Sequence, residues 1–95
     1  MKLTVSGPAL ADLKRLQAFL ADKDINAARR AVAEIIRAVD SLTLFPDRGH
    51  PAGVVGLRDL LVPFGRSTYI IRFAHDHDTS EIVVMRIWHG REAHE

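Results

Sequence analysis

The chain has 95 residues, 47% hydrophobic and 26% charged, with a net charge of +1. That balance fits a folded globular chain, and the near-neutral charge means that any basic surface has to be local. With no cysteine, disulfides, thiolate metal sites and a cysteine nucleophile are excluded together.

This length predicts one domain over residues 1–95, burying roughly 60–65% of its unfolded surface and therefore thin in stability. Met1-Lys2-Leu3-Thr4-Val5-Ser6 does not read as a signal peptide. The apolar runs fall far short of the ~20 residues a membrane helix needs. A cytoplasmic protein with no membrane partner is expected, and the missing cysteines fit a reducing compartment.

Leu3 and Val5 alternate with Lys2, Thr4 and Ser6, which predicts a short strand. Ser6-Gly7-Pro8 then suits a helix start, with serine as cap and proline in the first turn. Leu10, Leu13, Leu16 and Leu20 recur at helical spacing, with Asp12, Lys14, Arg15 and Gln17 largely on the other side. Asp22-Lys23-Asp24 is a polar turn, and Asp24 is a candidate cap for a second helix from about Asn26 to Leu44. Its apolar stripe is Ala28, Val32, Ile35, Ile36, Val39 and Leu42. A three-residue link predicts an antiparallel helix hairpin.

Phe45-Pro46 ends that helix, because the residue before proline is pushed out of the α region. Residues 46–56, with two prolines and three glycines, predict an irregular loop. Three strands follow: Leu57–Val62, Thr68–Ala74 and Glu81–His89, the last two joined by the polar turn 75–80. The order β-α-α-β-β-β predicts an α+β fold: an N-terminal strand, a helix hairpin and a three-stranded antiparallel sheet.

Strand alternation divides the sheet residues into faces. Ile71 and Phe73 are expected under the helices with Val83, Met85 and Ile87. The uncovered face then carries Ile70, Arg72, Val84, Arg86 and Trp88. Arginines and a tryptophan on a half-apolar face suit a docking surface. They equally suit the wet side of an antiparallel sheet.

In order and spacing, several fragments resemble the RelE/ParE superfamily of type II toxins, and more its ParE side. The fragments are Ala9-Leu10-Ala11-Asp12-Leu13, Leu42 to Gly49, Gly56-Leu57-Arg58-Asp59-Leu60, Tyr69-Ile70-Ile71-Arg72-Phe73 and Ile82 to Arg91. The resemblance implies a toxin held by a cognate antitoxin in a hetero-oligomer, with no cofactor and no sequence-specific nucleic-acid binding. ParE-like members poison DNA gyrase by binding it; RelE-like members cleave messenger RNA. RelE-type nucleases commonly carry an arginine where this chain has Ile70, which counts against RNA chemistry here. The ending Arg91-Glu92-Ala93-His94-Glu95 also departs from the ParE pattern, with glutamate where a second arginine is common.

On this reading Ile70, Arg72, Val84, Arg86 and Trp88 are the expected antitoxin surface, and His89 and Arg91 the target contacts. The alternative is an endoribonuclease using Arg72, Arg86, His89 and Arg91, since RNA cleavage needs a proton carrier and positive charge. His89 is either that proton carrier or a partly buried histidine bonded to the C-terminal backbone. A non-toxic antitoxin-binding homologue is a third reading. Arg58 is either a structural arginine at the strand start or a ligand contact. His75 and His77, two apart, have the spacing of a metal pair, but sequence offers no third donor and no metal is expected.

Overall fold

The computed structural model describes residues 1–92; the last three residues of the terminal ending lie outside the described residues. Ser6 has extended backbone, and its side chain accepts the Ala9 N–H at 3.2 Å. With Pro8 in the first turn, this starts α1, Gly7–Ala21. Asp24 accepts the N–H groups of Asn26 and Ala27 and starts α2, Ile25–Ser41. Turns follow Ser41, so α2 stops short of the expected Leu44. The two helices pack as the predicted hairpin.

Five strands form one mixed sheet: β1 (Lys2–Val5), β2 (His50–Pro51), β3 (Leu57–Phe64), β4 (Ser67–Asp76) and β5 (Glu81–His89). Their order is β1-β5-β4-β3-β2. The fold is α+β as expected, but the sheet is wider than the predicted three strands. β1 joins it parallel to β5, and the loop contributes β2, a two-residue strand antiparallel to β3. β3 and β4 meet through Gly65-Arg66, with Gly65 at φ +59°. A glycine with positive φ in the first of two turn positions matches strand twist.

The face assignment holds in β4 and fails in half of β5. Arg72 pairs Arg86 and Phe73 pairs Val84, so Met85 is an extra residue, a β-bulge. Past the bulge, Ile87 lies in the core as expected. Before it the parity is reversed: Ile82 and Val84 are fully buried, while Met85 is exposed. Val84 therefore leaves the list of surface candidates.

The core fills the space between helices and sheet. Ala9, Leu16, Ala31, Ile35, Val39 and Leu42 meet Leu60, Val62, Tyr69, Ile71, Phe73, Ile82, Val84 and Ile87. Three positions depart from the predicted helix stripes. Leu10 and Ile36 are exposed, and Asp12, expected on the wet side, is buried. No described helix is long and apolar enough to cross a membrane.

Candidate functional site

Register places two rows of residues across the uncovered sheet face. One is Asp59–Arg72–Arg86 and the other Leu61–Ile70–Trp88. Four of the five residues expected there, Ile70, Arg72, Arg86 and Trp88, are thus neighbours. Their surroundings change what they can do. Asp59 takes Arg72 in a two-pronged pair, Nε to Oδ1 at 2.9 Å and Nη2 to Oδ2 at 3.1 Å. Both side chains are largely buried. Such a planar fork is a strong, directional contact.

Arg86 is likewise engaged, by Asp12, which also accepts from Arg15 and from the Ile87 N–H. Burial alone would raise the Asp12 carboxyl; the hydrogen bonds from Arg86, Ile87 and Arg15 outweigh it and hold the group below the usual carboxylate range. Both guanidiniums also lie over the Trp88 ring, at 4.9 Å and 5.3 Å from its centroid. Trp88 is only 6% exposed, so it is more a platform for the arginines than a free anchor. Leu61, which pairs with the half-buried Ile70, is an exposed apolar group of this face.

β1 pairs only with residues 81–84, so the second half of β5 has no strand beyond it. Side chains take that place. Ser6 Oγ donates to the Met85 carbonyl at 2.9 Å, Asp12 accepts the Ile87 N–H at 2.9 Å, and Glu92 accepts the His89 N–H at 2.7 Å. Glu92 also pairs with Arg15 of α1. The glutamate that departs from the family ending therefore fastens the end of β5 to α1.

His89 sits on the opposite sheet face from Arg72 and Arg86. It pairs in register with buried Tyr69, and the two rings meet edge to face at 5.4 Å. Its Nδ1 accepts the Arg91 N–H at 3.0 Å, which leaves the ring proton on Nε2, 3.1 Å from Ser67 Oγ. The ring is therefore bonded to the C-terminal backbone, the more conservative of the two expectations. Arg91 itself is exposed. The residues of the ribonuclease reading are split across the sheet rather than gathered around one point. Arg58 donates from Nε to the Arg48 carbonyl at 3.0 Å and from Nη2 to the Gly49 carbonyl at 2.8 Å, closing the loop onto β3.

A second constellation lies at the other end of β4. Asp47, in the loop after α2, has Oδ1 at 3.0 Å from His75 Nδ1 and 3.4 Å from His77 Nε2. The third donor that the His75/His77 spacing lacked is thus supplied by the fold. Sequence reasoning also missed Asp12 and Asp59 as the partners of the two arginines. The first carried a signal: Ala9, Asp12 and Leu16 fall at one helical spacing, so a carboxylate sits within an apolar stripe.

The profile of the ParE toxin of type II toxin–antitoxin systems, parDE, matches residues 3–94. Toxin RelE1 of Caulobacter vibrioides is 41% identical over 88 residues, which cover 93% of this chain and 91% of that one. Putative toxin Y4kP of Sinorhizobium fredii is 34% identical over 77 residues, covering 81% and 78%. Among solved structures, the chromosomal ParDE toxin–antitoxin system from P. aeruginosa superimposes with a TM-score of 0.77 at 25% identity, over 93% of this chain and 94% of that chain. With the same fold and a match along almost its whole length, the chain belongs to the ParE toxin family of type II toxin–antitoxin systems.

Proposed function

We propose that the chain is a cytoplasmic toxin that binds DNA gyrase so that the cleaved-DNA intermediate persists, and that a cognate antitoxin neutralises it. One observation carries the preference for binding over RNA cleavage. Arg72 and Arg86 are each engaged by a carboxylate, and His89 lies across the sheet, bonded to backbone. A transition state for phosphoryl chemistry needs its proton carrier and its positive charge at one point.

The antitoxin lies over the uncovered sheet face and the helix hairpin. Leu61 and Ile70 serve as apolar anchors of the sheet, with the exposed Leu10, Phe19 and Ile36 on the helices. Arg86, whose side chain is 44% exposed, presents its outer edge to acidic residues of the antitoxin. A second reading, the endoribonuclease, draws on the name of the Caulobacter relative, RelE1.

Inducible expression of the chain alone in bacteria tests the proposal, with growth, cell shape and the DNA-damage response followed together. Arrest with filamentation and an induced damage response, altered in cells with quinolone-resistant gyrase, is expected. Rapid loss of translation that His89→Ala abolishes would establish the nuclease instead. Co-expression of antitoxin should rescue growth, and Ile70→Asp should weaken that rescue. Undiminished rescue would move the interface off this face.

A further inference from the structure

We propose that Asp47, His75 and His77 form a site for a divalent first-row transition metal, zinc by preference, which ties the 46–56 loop to the β4–β5 hairpin. The argument begins with spacing. His75 is near the end of β4 and His77 just follows it, and their rings lie 3.9 Å apart between centroids at 38°. Asp47, 28 residues earlier than His75, is brought to both by the loop. One donor atom from each of the three residues falls within 4.8 Å of the other two.

In a tetrahedral zinc site, metal–donor distances of about 2.0–2.2 Å put donors roughly 3.4 Å from one another. The two separations from Asp47, 3.0 and 3.4 Å, already approach that value. Closure needs only a modest approach of the imidazoles. Two imidazole nitrogens and one carboxylate oxygen select zinc, nickel or copper over magnesium or calcium, which prefer all-oxygen shells. Three protein donors also leave a coordination position for water or for a partner's side chain.

The surroundings fit a site that faces outward. The three residues stand on the wall of a cleft of about 490 Å³ that Pro51, Val54, Val55 and Leu57 also line. His75 is buried at its side chain, with 8% exposure, so one donor is fixed by the fold. His77 and Asp47 are 71% and 62% exposed and are free to adjust. Arg58 shares the cleft, and its charge opposes a cation and weakens its binding.

The simpler alternative is a histidine–carboxylate clasp that takes protons and no metal. Calorimetric titration of the untagged full chain with zinc chloride, and with magnesium chloride as control, separates the two. Hydrogen exchange across residues 47–57 is followed in the same samples. Saturable one-to-one zinc binding is expected, with no magnesium binding and slowed exchange in the loop. His77→Gln and Asp47→Asn, at the two exposed donors, should each weaken zinc binding by about tenfold or more. No binding below millimolar zinc overturns the proposal, as does unchanged affinity in both variants, which would point to the other histidines. Binding without slowed exchange in the loop overturns the tie.

Discussion

Asp12 of α1 meets Arg86 of β5 in a two-pronged contact across 74 residues of chain, Nε to Oδ2 at 2.7 Å and Nη2 to Oδ1 at 3.0 Å. The same carboxylate accepts the Ile87 N–H, so one side chain pairs a cation and completes a strand. The two partners are unequal. Asp12 is buried, whereas the Arg86 side chain is 44% exposed.

That inequality predicts an asymmetry. Asp12→Ala leaves the Ile87 N–H without its acceptor and Arg86 without its partner, a loss of roughly 2–3 kcal/mol. Arg86→Ala takes the leading hydrogen bond from a buried carboxylate that keeps Arg15 and the Ile87 N–H, and should cost about 1–2 kcal/mol, less than Asp12→Ala. Urea denaturation of both variants checks this. Equal losses would mean that the contact with Ile87 contributes nothing.

Acid should remove the Asp12 contribution in a defined direction. Its carboxyl titrates below the ordinary value of 3.8 in the fold, so the unfolded chain takes up the proton first as pH falls. The contribution is therefore complete above about pH 4–5 and is lost as pH drops through the folded value. The stability gap between the native chain and Asp12→Asn should be flat from about pH 5 to 7 and shrink below about pH 4. A gap that widened in acid would reverse the assignment.

The bulge at Met85 gives neighbouring valines opposite fates. Val84 is fully buried, while Val83 is partly exposed on the other face. Val84→Asn puts an unpartnered amide in the core and should cost about 3 kcal/mol or more. Val83→Asn should cost under about 1 kcal/mol. Thermal or urea unfolding that ranked them the other way would restore the simple alternation read from sequence.

Gly49 has φ +80°, and a Cβ built there would stand 2.2 Å from the Asp59 carbonyl oxygen. Gly53 has nearly the same φ, +81°, with nothing within 4 Å. Gly53→Ala should cost about 1 kcal/mol for backbone strain alone. Gly49→Ala adds a backbone collision and should cost at least about twice that. Asp59 also holds Arg72, so the loss should extend to this part of the sheet.

Local signals made much of the fold legible. The caps Ser6 and Asp24, the turn 22–24 and the bounds of β5 all follow from chemistry within a few residues. What escaped depends on distance in sequence. The bulge at Met85 is a matter of register between two strands, and alternation carries no mark of it. Arg72 and Arg86 were legible as neighbours, but their engagement by Asp59 and Asp12 was not. A carboxylate looks the same on a wet face as under a guanidinium. Asp47 reached His75 and His77 through a loop whose path sequence leaves open.

Where β5 runs on past β1, Ser6, Asp12 and Glu92 together line its margin, matching the Met85 carbonyl and the Ile87 and His89 N–H groups. A second copy arriving there finds these groups occupied and has little to zip onto, which guards the chain against stacking on itself. Any protein that adds a strand along this stretch of β5 must pull Glu92 away from α1, and otherwise has to come to the outer side of β1 or to the far border. There β3 presents its free margin beyond the short β2, and Pro63 has already removed one donor.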